Sequence, residues 1–224
     1  FRIEGQDIED FRILRQAIDA RKKPRVLYDY QVEVVVPDRH SHLLDNPDIV
    51  ACDPAAAMEY GQWTDEYRPV IVGFGPAGMF AALYLARCHA RPIILERGER
   101  IEDRKRSLNQ FLYNKELNPN SNVQFGEGGA GTFSDGKLNT NVHSPYNRFV
   151  LEEFHKHGAC EDVLYMQNPH VGTDYLEQVV RNIRLEIESL GGEFHFSTIF
   201  TDFTEEGDLL HVECHNGKRF TTRH

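Results

Sequence analysis

An α/β fold organised around a parallel sheet is what this chain predicts, and three stretches of sequence predict it. Val70, Ile71 and Val72 form a short apolar run that leads into Gly73-Phe74-Gly75-Pro76-Ala77-Gly78. A helical apolar pattern follows, with Met79, Leu83 and Leu85 among the small residues Ala81, Ala82 and Ala86, and a second apolar run then ends on Glu96. Further on, Leu176, Val179, Val180, Ile183, Ile187 and Leu190 fall on one helical face, and a strand follows over residues 193–202. Strand, helix, strand at these spacings is a crossover unit, and crossover units build parallel sheets.

The glycines of the first unit do separate work. Gly73 permits the tight turn from strand to helix, Gly75 lets the backbone approach a pyrophosphate, and Gly78 lets the helix lie close on the strand. The helix beginning at Pro76 and Ala77 aims its unpaired amides and the positive end of its dipole at phosphate. Glu96 lies 18 residues after Gly78, at the end of the second strand, where a carboxylate accepts from both ribose hydroxyls. The motif alone is weak, but a strand precedes it, a helix follows and a second strand closes it. Residues 69–97 therefore read as a Rossmann-like dinucleotide unit.

Composition narrows the classes. The chain has 224 residues, 40% of them hydrophobic, enough for one large or two small domains with a core. Its 25 basic and 35 acidic side chains give a net charge of −10, which makes phosphate-rich polymers and anionic membranes poor general partners. No apolar run reaches membrane-spanning length and no signal peptide precedes the first domain. Cys52, Cys88, Cys160 and Cys214 are scattered, which suits a reducing cytoplasm and offers no metal or disulfide framework.

Residues 1–66 read as a small α+β module with a linker, and residues 67–224 as the dinucleotide domain. Val26, Tyr28, Tyr30, Val32, Val34 and Val36 alternate with Leu27, Asp29, Gln31, Glu33 and Val35, the period of a long half-buried strand. Residues 11–18 supply its partner across the turn Ala20-Arg21-Lys22-Lys23-Pro24-Arg25. That basic turn reads as a solvated face, since no aromatic stacking platform accompanies it. Pro37, Pro47 and Pro54 mark residues 37–66 as a linker with one helical turn near 55–60.

Residues 100–118 are charged and helical. The stretch 123–138, VQFGEGGAGTFSDGKL, holds five glycines in sixteen residues and belongs in a loop whose backbone adopts positive φ or lies against something flat. Its interleaved Phe125, Phe133 and Leu138 set it apart from a solvated linker. After the helix capped by Thr173 and stopped by Gly191-Gly192, two short strands, 209–214 and 219–222, join around Asn216-Gly217 in a hairpin.

Two short segments bear on identity. Pro76-Ala77 within the glycine motif and Glu96-Arg97-Gly98 after the second strand resemble FAD-binding flavoproteins of the glutathione-reductase type more than NAD dehydrogenases. The run from Asn122 through Gly126-Glu127-Gly128-Gly129-Ala130-Gly131-Thr132 to Lys137-Leu138 is similar to the signature of a bacterial family of FAD-dependent, or NAD(FAD)-utilising, dehydrogenases. Asp19-Ala20-Arg21-Lys22-Lys23-Pro24 and His170-Val171-Gly172-Thr173 match the same family. The resemblance covers nearly the whole chain but only about the first half of a family member. It implies an FAD-binding oxidoreductase of undetermined substrate, truncated at the C-terminus, where a fourth parallel strand is expected beside residues 70–72. Phe1 in place of Met suggests truncation at the N-terminus as well.

On that resemblance, Gly73, Gly75, Pro76, Ala77 and Gly78 cradle the pyrophosphate, Glu96 the ribose and Arg97 the adenine side. The backbone of Phe200, on the 193–202 strand, meets the adenine. The loop through Gly126, Gly128, Gly129, Ala130, Gly131 and Thr132 lies along the flavin. Lys137 is the candidate for tuning the reduced ring, with an exposed surface lysine as the competing reading, and His170 is a candidate acid/base. NAD(P)H as electron donor has only the family label behind it, and substrate and electron acceptor are not legible. The competing functions are an NAD(P)-dependent dehydrogenase, which leaves the second glycine loop unexplained, and a non-catalytic flavin- or RNA-binding module using Arg21–Arg25. His40/His42 and His155/His157 lack the ligands to complete a metal site and read as solvated.

Overall fold

A computed structural model describes residues 5–53, 57–134, 136–138, 140, 142, 144, 146–167, 169 and 171–224. In chain order its strands and α-helices are β1 (Asp10–Asp19), β2 (Leu27–Val35), β3 (Val70–Val72), α1 (Pro76–Arg87), β4 (Ile93–Leu95), α2 (Ile101–Asn114), α3 (Tyr146–Lys156), α4 (Thr173–Ser189), β5 (Glu193–His195), β6 (Phe200–Glu206), β7 (Leu209–Cys214) and β8 (Arg219–Thr222). The architecture is mixed α/β. A parallel sheet has the order β3-β4-β5, an antiparallel sheet the order β6-β7-β8, and β1-β2 form a separate hairpin.

β4 shows how so short a sheet is held. Its three residues are all buried, and successive side chains of a strand point to opposite faces. Ile94 enters a core built with Met79, Ala82, Leu83 and Ala86 of α1, Val179, Val180, Ile183 and Ile187 of α4, and Phe154 of α3. Ile93 and Leu95 point the other way and pack with Val212 and Cys214 of the antiparallel sheet. A strand covered on both faces reads as a continuous apolar run, as the sequence does here. The helical face expected over 176–190 is the face α4 buries, apart from Leu190, which is only partly covered. The cap of α4 differs from expectation. Gly172 is the N-cap, with no side-chain cap bond, and Thr173 lies inside the helix.

Residues 193–202 are not one strand. β5 stops at His195, the chain turns through Ser197 at φ 49, and β6 starts at Phe200 in the antiparallel sheet, paired with Cys214. The turn is held by Ser197 N–H donating to Gly98 O at 2.8 Å and Thr198 N–H to Glu96 O at 2.9 Å. Backbone bonds to the end of β4 thus redirect the chain, which strand periodicity does not register.

α3 was not legible as an element. It is anchored by charge. Arg87 of α1 donates to both carboxylate oxygens of Glu153 at 2.6 Å and to Glu186 of α4 at 2.7 Å. His157, expected to be solvated, is buried, with Nδ1 at 2.7 Å from Glu153 O and Nε2 at 2.9 Å from Glu186. His155 is exposed, as a solvated residue should be.

The hairpin pairs as the alternation predicts, with a register shift between Ile13 and Arg15. Phe11, Ile13, Gln16 and Ile18 stand opposite Val34, Val32, Tyr30 and Tyr28, and cross-strand partners share a face. That face is not half-buried. Phe11 is 65% and Tyr28 62% exposed. Gln16 N–H donates to Tyr165 O at 2.7 Å and Gln167 N–H to Gln16 O at 3.0 Å, tying the hairpin edge to the segment after α3. In the linker the helical turn falls at Asp38–Asp45, a 3-10 helix; residues 54–56 lie outside the described set. Beyond them Trp63 N–H donates to Cys88 O at 2.8 Å, docking the linker on the end of α1.

β3 forms one edge of the parallel sheet, and Val70 N–H on that edge donates to His224 O at 2.9 Å. Among the described residues no helix is long and apolar enough to cross a membrane.

Candidate functional site

The carboxyl ends of β3 and β4 lie side by side and each runs into a turn that needs glycine. Gly73 has φ 92, and its N–H donates to Leu95 O at 2.7 Å. A methyl group on Gly78 would run into Gly73 O and stand 3.3 Å from Ile71, so close contact between helix and strand excludes any side chain there. A methyl group on Gly75 meets nothing nearer than Gly129 Cα at 3.9 Å. Gly75 is the N-cap of α1, with Pro76 at the first helical position, and both Pro76 and Ala77 are exposed.

Glu96 is buried at the junction of the two turns. Its Oε2 accepts from Phe74 N–H at 2.7 Å and its Oε1 from Gly98 N–H at 2.8 Å. Arg97 lies over the Phe125 ring at 4.1 Å and donates through Nη2 to Asn120 at 3.0 Å. Its Nε is buried with no partner among the described residues.

The second glycine stretch lies on top of the first. Gly128 N–H donates to Phe74 O at 2.8 Å and Glu127 N–H to Glu99 O at 3.0 Å. A methyl group on Gly98 would come within 2.5 Å of Gly126 Cα, so these two segments touch backbone to backbone. Gly126, Gly128 and Gly129 have φ values of 122, 84 and 70, as the loop expectation required. Ala130–Phe133 is a 3-10 helix in which Ala130 and Gly131 are exposed and Thr132 is buried, its hydroxyl lacking a partner among the described residues. Gly131 faces open space: a methyl group there would meet no atom within 4 Å. A charge network underlies the loop. Arg104 donates to Asn122, Val123 and Glu127 carbonyls, and the Glu127 carboxylate takes Ile101 N–H and Arg184. Burial pushes the Glu127 carboxyl up despite Arg184, and pushes the Arg104 guanidinium down to about 10 against the pull of Glu96 and Glu127.

The sequence-predicted residues Gly73, Gly75, Gly78, Glu96, Gly126, Gly128 and Gly129 thus converge at the ends of two parallel strands, where open α/β sheets bind ligands. Phe200 opens β6 and does not continue β5. Its ring packs with the cluster of Ile93, Leu95 and Val212, and the residues following β5 beside Glu96 are Phe196, Ser197 and Thr198. Lys137 is exposed on a segment whose neighbours pair with Pro169 and Val171. His170 lies outside the described residues. Arg104, Glu127 and Arg184 were missed as site residues. Their only sequence signal is that Glu127 sits within the glycine-rich signature, while Arg104 and Arg184 read as ordinary charges on amphipathic helices. Among the described residues no group of three His, Cys, Asp or Glu side chains is placed to hold a metal.

Comparison with known proteins adds the following. Residues 1–35, which end with β2, match a family described as a domain of unknown function (DUF8436). An uncharacterized protein of Clostridium beijerinckii is 42% identical over 220 residues, which is 96% of this chain and 41% of that protein. The chain therefore spans less than half the length of the curated relative it matches. Among solved structures, a thioredoxin reductase from Lactococcus lactis is 18% identical over 70% of this chain and 33% of its own, with a TM-score of 0.38. The halogenase PltM, in complex with phloroglucinol and FAD, is 12% identical over 71% of this chain and 33% of its own, with a TM-score of 0.42.

Proposed function

We propose that this chain is the FAD-holding part of a flavin-dependent oxidoreductase. The observation that carries the reading is the stacking of two glycine loops at the carboxyl ends of β3 and β4, joined by the Gly128 to Phe74 bond. Gly75 and Gly131 both lack a side chain where little or no protein packing forbids one. A dinucleotide laid across that surface explains both. In this reading Gly75, Pro76, Ala77 and the amino end of α1 face the pyrophosphate. Glu96 keeps a second lone pair on each oxygen for ribose hydroxyls, and Arg97 offers its Nε, which has no partner among the described residues, toward the adenine side. Ala130, Gly131 and Thr132 lie along the flavin side; Lys137 is kept as the candidate for tuning the reduced ring and His170 as the candidate acid/base. FAD would supply the redox chemistry, while the chain binds and orients it.

Purification and titration test the reading. The expected result is yellow protein, or an apo form that takes up FAD in a saturable 1:1 titration. Binding of NAD(P)H with no affinity for FAD would replace it with a nicotinamide-dependent dehydrogenase.

A further inference from the structure

We propose that Arg104 and Glu127 are positioning residues of the dinucleotide site, which fix the second glycine loop in its ligand-ready place before any dinucleotide arrives. What the loop is ready for rests on the FAD reading above; how it is held does not.

Arg104 is an unusual residue for the first turn of α2. Its side chain is fully buried, and its guanidinium has no carboxylate hydrogen-bond partner among the described residues. Burying a cation without such a partner is costly, and an apolar side chain would fill the same space with less penalty. The guanidinium instead directs its donors to three carbonyls of one loop. Nε donates to Asn122 O at 2.9 Å, Nη2 to Val123 O at 3.0 Å and Nη1 to Glu127 O at 2.7 Å. A planar fork of five donors suits three converging acceptors, which a lysine ammonium on a flexible stem does not match. The Phe133 ring lies 4.9 Å from the same guanidinium, so the far end of the loop closes over it too.

The consequence follows from peptide planarity. In a trans peptide the C=O and the next N–H point in opposite directions. Drawing Glu127 O inward to Arg104 therefore turns Gly128 N–H outward, and that N–H is the one that donates to Phe74 O in the first glycine turn. One cation thus sets the peptide that joins the two loops. Every polar group of Glu127 is engaged in the same task. Its N–H donates to Glu99 O, its carbonyl accepts from Arg104, and its carboxylate accepts Ile101 N–H at 2.6 Å and Arg184 Nε at 2.8 Å. The first amide of α2 and a side chain of α4 are thereby tied to a single loop residue. Both side chains are wholly buried, so they act through the loop and touch no ligand.

The test compares the native chain with Arg104→Met, Arg104→Lys and Glu127→Gln. Amide hydrogen exchange over 122–131 is read on the apo form, and FAD release on the loaded form by recovery of flavin fluorescence. Arg104→Met is expected to raise exchange in the loop about tenfold while β4 and α4 stay protected. It should speed FAD release about ten- to a hundredfold. Arg104→Lys should recover part of both effects, and Glu127→Gln should loosen the same residues. Unchanged loop exchange in Arg104→Met overturns the proposal. So does a loosened loop with native FAD release, or a loss of protection that spreads equally through α1 and α4. If Arg104→Met does not fold, native FAD release in both Arg104→Lys and Glu127→Gln overturns it. A native chain that takes up no FAD sinks the cofactor reading alone, and the holding of the loop by Arg104 and Glu127 then stands or falls on the exchange measured in the apo form.

Discussion

The β1–β2 hairpin and the β3-α1-β4 unit make opposite use of apolar residues. The hairpin is the more regular sequence, with strands of 10 and 9 residues and a period of two along β2, and most of its patterned face stands in solvent. β3 and β4 have three residues each and no alternation to speak of, yet β4 is buried on both sides. Alternation states which side chains share a face. Whether anything covers that face depends on what the chain brings to it, and here helices and a second sheet converge on β4 while Phe11, Ile18 and Tyr28 on the hairpin face stay exposed.

The sharpest contrast is in charge. Arg87→Met takes from the buried Glu153 the guanidinium that bonds both its oxygens and is expected to cost about 3–5 kcal/mol in urea unfolding. Arg12→Met, which removes a partly exposed pair with Glu33 in the hairpin, should cost under about 1 kcal/mol. Similar costs would erase the distinction between the regions. The same network predicts an acid limb. Burial pushes Glu186 up, but Arg87, Lys156 and His157 together hold it at about 2, below the ordinary glutamate value of 4.5. A depressed carboxylate stabilises the fold above the unfolded value and loses that contribution as pH falls through the folded one. Native stability should therefore decline between about pH 4.5 and 2, and Arg87→Met should flatten that decline.

Apolar truncation gives a slightly smaller contrast. Ile94→Ala in β4 should cost about 2–5 kcal/mol, whereas Val32→Ala in the hairpin should stay within about 0.5 kcal/mol. An equal cost at Val32 would mean that the hairpin face is covered in solution. At the site, Glu96→Ala should weaken FAD binding by about 1.5–3 kcal/mol, about ten- to a hundredfold, measured by titration on protein whose melting is followed in parallel. Following both matters, because Phe74 N–H and Gly98 N–H lose their acceptor in the same variant. Unchanged affinity in folded protein removes Glu96 from the ribose.

The finest probe separates glycines the protein needs from those a ligand needs. Gly129→Val, the obvious change, would press on Gly75 and Pro76 at 3.2 and 3.3 Å and strain a positive φ, so it reports on packing as much as on ligand. A β-carbon at Gly131 meets no atom within 4 Å, and Gly131→Val is expected to weaken FAD binding about tenfold with little change in stability. Gly61→Val, equally open and in the linker, should change neither. Equal affinity in the two variants would take the flavin away from the second loop.

The sequence alone determined the elements whose signals are local. The turn at Gly73, the close packing at Gly78, the apolar face of α4 and the hairpin at 216–217 all follow from backbone sterics or side-chain period within a few residues. It also marked the second glycine stretch as a shaped loop, because repeated glycine among large apolar residues fits no regular element. Only the tertiary structure decided what depends on residues distant in sequence. Arg104 reads as one more charge on a helix until the carbonyls of Asn122, Val123 and Glu127 close around it. His157 reads as solvated until Glu186 arrives from α4. Phe200 reads as the continuation of β5 until Glu96 O and Gly98 O capture the amides of Thr198 and Ser197 and turn the chain away. Local sterics are written in neighbouring residues, whereas the burial of a charge and the redirection of a strand are set by hydrogen-bond partners that only folding brings within reach.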